Sequence, residues 1–143
     1  MIQVHFYEPR SLFEHSVSFF GRTRFCHVAV QYGSRVTESS LGPGVTARGN
    51  IVTEQSDAFV PIQGVDEKTV FAWVAWRVGE RYGLLDCAQS VIRKWTGIKI
   101  GGNPRGMLCS EYACELLRAN GGPDIEARYG ITPDELYTAL RNL

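Results

Sequence analysis

Residues 25–40 read FCHVAVQY-GS-RVTESS, two extended runs around a glycine-serine pair. No other stretch limits the possible folds as much. β-Branched and aromatic residues fill the runs, and Gly-Ser suits a two-residue hairpin turn. With Gly33 and Ser34 as the turn, Tyr32 faces Arg35, Gln31 faces Val36, Ala29 faces Glu38 and His27 faces Ser40. Alternation places Phe25, His27, Ala29 and Gln31 on one face of the strand. Cys26, Val28, Val30 and Tyr32 take the other. The chain must therefore build an antiparallel sheet around this hairpin.

The flanking segments supply more strands first and helices later. Ile2, Val4 and Phe6 alternate with Gln3, His5 and Tyr7, the period of a half-buried strand. Ser11 and Glu14 form an S-x-x-E capping box that opens a short helix to about Phe20, which Gly21 ends. Leu41 to Gly64 carries several glycines and prolines and reads as short strands joined by turns, with AFVPIQ the most strand-like piece. From Val65 the period changes. Val70, Phe71, Val74 and Val78 have helical spacing, and a second helix is expected over Leu84–Trp95. A glycine-rich loop, GIKIGGNPRG, leads into a third helix from about Leu108 to Ala119. Thr132 and Pro133 open a last one, DELYTALRNL. Strands and helices are partly segregated, so the expected class is α+β, an antiparallel sheet or small barrel packed against helices.

A length of 143 residues points to one domain over residues 1–143, large enough to bury a core without staples. Hydrophobic residues make up 44% and charged residues 21%, which excludes disordered and coiled-coil classes. Basic and acidic residues number 15 each, so no net charge draws the chain to nucleic acid, and none is expected as a partner. The longest apolar run, Val70 to Trp76, is too short to span a bilayer. The start, MIQVHFYEPR, reads as a strand and not as a signal peptide. Synthesis and folding in the cytoplasm are expected, with export by another route left open. Cys26, Cys87, Cys109 and Cys114 are then read as free thiols, and their spacing suits no zinc knuckle. Neither a metal nor a cofactor is expected.

Two residues stand out chemically. Cys109 lies at the start of the third helix, where unpaired N–H groups and the helix dipole stabilise a thiolate. The same N–H groups, with Ser110 next in line, can receive the oxyanion that develops on an attacked carbonyl. Gly101, Gly102 and Gly106 leave room for a substrate backbone beside the thiol. His27 is the candidate base. Glu38 lies one diagonal away on the same face, within reach of the imidazole, and fits the orienting role in a nucleophile–base–acid triad. The bland alternatives are a core cysteine, an ordinary strand histidine and a solvated edge carboxylate. Cys87, inside a helix, and Cys114, beside Glu115, read as core thiols, and Cys26 points away from the face of His27.

A histidine opening a strand (CHVAVQYG), an acid on the next strand (TESS) and a late CSEYACELLRANG helix followed by ITPDELY together resemble the permuted papain-like amidases. These form the circularly permuted branch of the NlpC-type cysteine peptidase superfamily, which also contains lecithin retinol acyltransferase-like enzymes. The resemblance covers about Phe25 to Leu140. It implies a papain-like fold with Cys109 as nucleophile, His27 as base and Glu38 as the third residue, a position that Ser40 or Gln31 could also fill. It further implies a cysteine hydrolase acting on an amide or ester bond, with a peptide, peptidoglycan or acyl substrate. The rival expectation is a non-catalytic structural or binding protein of a phage or secretion system that keeps the fold.

Overall fold

The structure is a computed structural model that describes residues 1–49, 56–83, 88, 91–93, 95–98, 106–125 and 130–143. Five strands, β1 (Ile2–Tyr7), β2 (His27–Tyr32), β3 (Arg35–Ser40), β4 (Gly44–Gly49) and β5 (Ala58–Ile62), form one antiparallel sheet in the order β4-β3-β2-β1-β5. Helices α1 (Leu12–Gly21), α2 (Glu67–Arg77), α3 (Cys109–Ala119) and α4 (Pro133–Arg141) accompany it. The architecture is α+β. Among the described residues the sheet is open, with β4 and β5 at its edges, and not closed into a barrel.

Alternation decides which face the helices cover. Ile2, Val4 and Phe6 of β1, Val28 and Val30 of β2, and Val45 of β4 are buried with Tyr112, Ala113, Leu116 and Leu117 of α3 and Leu136 of α4. The α3 helix packs across β2 and β3. Its Tyr112 hydroxyl lies 2.7 Å from Thr37 Oγ1, so the polar tip of this fully buried ring is satisfied inside the core. On the opposite face, His5 is also buried. Phe59 stacks on its ring, and Ser56 and Gln31 bond its two nitrogens at 2.9 and 3.0 Å.

The Gly33-Ser34 turn pairs Tyr32 with Arg35 and Ala29 with Glu38, the expected register. Two local expectations are corrected. The ladder between β2 and β3 ends at Ala29–Glu38, short of the expected His27–Ser40 pair, and on its other side Ser40 pairs with Gly44 of β4. The strand also begins at His27 and not at Phe25, whose ring is in the core against Phe6 and Tyr137. The cause lies in α4. Asp134 accepts the backbone N–H groups of Arg24 and Phe25 at 2.7 and 2.8 Å, while the Cys26 N–H bonds the Tyr7 carbonyl. The chain ahead of β2 is thus held by a helix start and leaves the alternation.

Helix α1 runs through Gly21, and Arg22 takes the left-handed cap position with φ 51°, so the expected stop at Gly21 falls one residue early. The capping boxes of Ser11 with Glu14 and of Thr132 with Glu135 both form. In the stretch expected as the Leu84–Trp95 helix, Ala88, Val91, Ile92, Arg93 and Trp95 are helical. The rest of that stretch, with Cys87, and the glycines Gly101 and Gly102 lie outside the described residues.

Candidate active site

His27, the first residue of β2, sits at the end of the sheet nearest the N-terminus of α3. Its Nε2 donates to Glu38 Oε2 at 2.6 Å. Cys109, at the start of α3, is near enough to the same imidazole to act on its titration. The three residues come from β2, β3 and α3, and the packing of α3 on both strands brings its start toward the His27–Glu38 pair. Glu38 reaches His27 along the diagonal of the paired strands. The other oxygen of Glu38, Oε1, lies 3.1 Å from Nη2 of Arg48 on β4.

The electrostatics follow from this arrangement. Burial works against a charged imidazole, but the Cys109 thiol and the Glu38 carboxylate outweigh it and raise the His27 pKa to about 10. The hydrogen bond from His27 lowers the Glu38 pKa against the opposing effect of burial, and Arg48 adds to the lowering. The side chains of His27 and Glu38 are 25% and 17% exposed, so the pair is shielded yet reachable from solvent.

The start of α3 is built for an unpaired N–H cluster. Its N-cap is the apolar Leu108, which offers no side-chain acceptor to the first turn. Glu111 is buried, and its carboxylate accepts the N–H groups of Leu108 and Gly130, fixing the helix start to the segment that precedes α4. Ser110 is also buried and donates its hydroxyl to the Ile131 carbonyl. Its side chain is therefore committed, and only its backbone N–H remains to meet an oxyanion. Gly106 has a structural role: a Cβ there would lie 2.8 Å from the Tyr82 carbonyl oxygen, so the close approach it permits is by this chain's own backbone.

Cys109 is 4% exposed and lines a crevice of about 40 Å³ with Val17, Cys26, Tyr82 and Pro133. Two wider clefts flank His27. One, of about 250 Å³, is lined by Tyr7, Glu8, Arg10, Glu14, Glu38 and Arg48. The other, of about 310 Å³, is lined by Phe13, Val17, Ser40, Leu41 and Tyr82. Cys26 borders all three spaces, but burial pushes its thiol up to about 12, and the same holds for Cys114 in the core.

Of the alternatives for the third residue, Gln31 is engaged elsewhere, bonding His5 and donating to the Gly33 carbonyl at 3.2 Å. Ser40 borders a cleft with His27, and Glu38 is the residue that bonds the imidazole. Sequence reasoning missed Arg48 and Tyr7, whose ring lies 6.0 Å from that of His27. Extending the strand register across Leu41-Gly42-Pro43 to β4 would have found Arg48. Among the described residues no group of three or more His, Cys, Asp or Glu side chains is placed to hold a metal ion. Nor is any described helix long and apolar enough to cross a membrane. A scan against models of known protein families and a search of curated proteins give no match to this chain.

Proposed function

We propose that the protein is a cysteine hydrolase of the papain-like type, in its permuted form with the histidine strand ahead of the cysteine helix, which cleaves an amide or ester bond. The observation that carries this reading is the 2.6 Å hydrogen bond between Glu38 and His27, with Cys109 at a helix start near enough to act on the imidazole. A thiol, an imidazole and an orienting carboxylate in that order are the parts nucleophilic catalysis requires. Substrates consistent with it are peptides, peptidoglycan peptides and acyl compounds.

With its raised pKa, His27 already holds the proton as an imidazolium at neutral pH when the sulfur of Cys109 attacks the substrate carbonyl carbon. The oxyanion takes hydrogen bonds from the first-turn N–H groups of α3, those of Cys109 and Ser110. Collapse breaks the bond to the amine or alcohol, which leaves with the proton held by His27, and the acyl group stays on sulfur. Water then attacks the thioester and gives a proton to His27. The acid departs, and the sulfur is again paired with the protonated His27. Glu38 stabilises the imidazolium throughout and fixes which nitrogen faces the sulfur.

The enclosure of Cys109, at 4% exposure, favours the competing reading of a non-catalytic protein with a core cysteine. Treatment of the native protein with a small alkylating agent near neutral pH, followed by mass spectrometry, separates the two. The hydrolase reading expects label on Cys109 and a rate at least about tenfold lower in His27→Ala. An unlabelled Cys109, or equal rates in the two proteins, overturns it.

A further inference from the structure

We infer that Arg48 is a positioning residue for the proposed site, holding Glu38 in the one orientation that serves His27. The inference rests on the hydrolase reading for its catalytic meaning, although the geometry stands by itself. Glu38 pairs with Ala29 on β2 and with Thr46 on β4. His27 and Arg48 are each two residues from those partners, on opposite sides, so His27, Glu38 and Arg48 form a diagonal across three strands. Each carboxylate oxygen has its own partner: Oε2 takes the imidazole at 2.6 Å and Oε1 the guanidinium at 3.1 Å.

A glutamate side chain rotates about three bonds, and a single hydrogen bond at one oxygen leaves it free to swing. Engaging the second oxygen from the far side removes that freedom, and a guanidinium's rigid fork suits the task better than a flexible ammonium. Arg48 is 55% exposed, so its ion pair adds little to stability. Its effect falls on the orientation of Glu38.

The sign of a titration shift tests this. If Arg48 acted on His27 only through charge, replacing it with a neutral residue would remove a repelling cation and raise the His27 titration midpoint. If Arg48 positions Glu38, the imidazole loses its carboxylate and the midpoint falls. Tyr7, Glu14, Cys26, Glu38 and Cys109, the groups that face the imidazole, are the same in every variant. The His27 ring nitrogens are followed by NMR across pH in wild type, Arg48→Met and Arg48→Lys, with assignment by His27→Gln. A fall in Arg48→Met, partly restored in Arg48→Lys, is expected, together with slower Cys109 alkylation on the acid side. A midpoint that rises or does not move overturns the inference. This readout needs no turnover: an inert Cys109 in the wild type would end the hydrolase reading and leave the Arg48 result to be judged by the His27 midpoint.

Discussion

Nε2 of His27 and Oε2 of Glu38 stand 2.6 Å apart although they lie eleven positions apart in sequence, because a two-residue turn brings β3 back along β2 in one particular register. A three-residue turn would send Glu38 to the other face of the sheet. The site therefore depends on Gly33 and Ser34 as much as on the residues that perform the chemistry.

Cys109→Ala is expected to abolish hydrolysis while changing stability by no more than about 1–2 kcal/mol. Cys26→Ala and Cys114→Ala should keep their activity. Both thiols are pushed up to about 12 by burial and should resist alkylation at neutral pH until the protein unfolds. Peptide mapping after native and denatured labelling checks this. Label on Cys114 in the native state would contradict the packing described here.

The alkaline limb of the pH–rate profile should report His27. The imidazolium donates the proton to the leaving group, so activity should fall as pH rises through about 10. Glu38→Gln removes one of the two groups that raise this pKa, and its alkaline limb should move to lower pH. Its loss of activity should be smaller than that of His27→Ala, since Glu38 orients the imidazole and forms no bond to substrate. Initial rates for the three proteins across pH measure both effects.

Stability should follow the same two groups. The folded-state pKa of His27 is raised from 6.5, so its contribution is fully present below about 6.5 and is lost as pH rises through about 10. The pKa of Glu38 is lowered from 4.5, so its contribution is present above about 4.5 and is lost as pH falls through the lower folded value. Urea midpoints of wild type and Glu38→Gln should differ most near pH 5.5 and converge by about pH 10.5.

Asp134→Ala should destabilise by roughly 1–3 kcal/mol, because two backbone N–H groups lose their acceptor. It should also slow alkylation of Cys109, since those N–H groups precede the strand that begins at His27. Gly44→Ala is expected to cost more than about 1 kcal/mol: its φ is +71°, and a Cβ would lie 2.0 Å from the Glu80 carbonyl oxygen. Gly42→Ala, with φ +97° and open space around it, should lose less. Thermal denaturation ranks the three.

The legible parts of the fold were those where short-range rules act alone. The Gly33-Ser34 turn, the alternation of β1 and the capping boxes of Ser11 and Thr132 are local events, and the sequence carries them openly. The meeting of His27 with Glu38 was legible because register follows from the turn. Phe25 was misplaced because a side chain from α4, 109 residues away, overrides the strand period there. Arg48 was hidden in a glycine-rich stretch whose pairing with β3 has no strong turn signal, and its distance from Glu38 is visible only once the sheet is assembled. The enclosure of Cys109 is likewise tertiary. Helix spacing shows which residues share a face, but not that the first turn is walled in by Val17, Tyr82 and Pro133.

The bond from Asp134 to the backbone ahead of β2 also bears on when the protein can work. A ribosome releases the histidine strand early and the cysteine helix late, and the aspartate that secures the approach to His27 follows later still. Until residue 134 has emerged, a growing chain lacks the tie that secures the approach to His27. The proposed chemistry thereby waits on the start of α4, which must close back on the approach to β2.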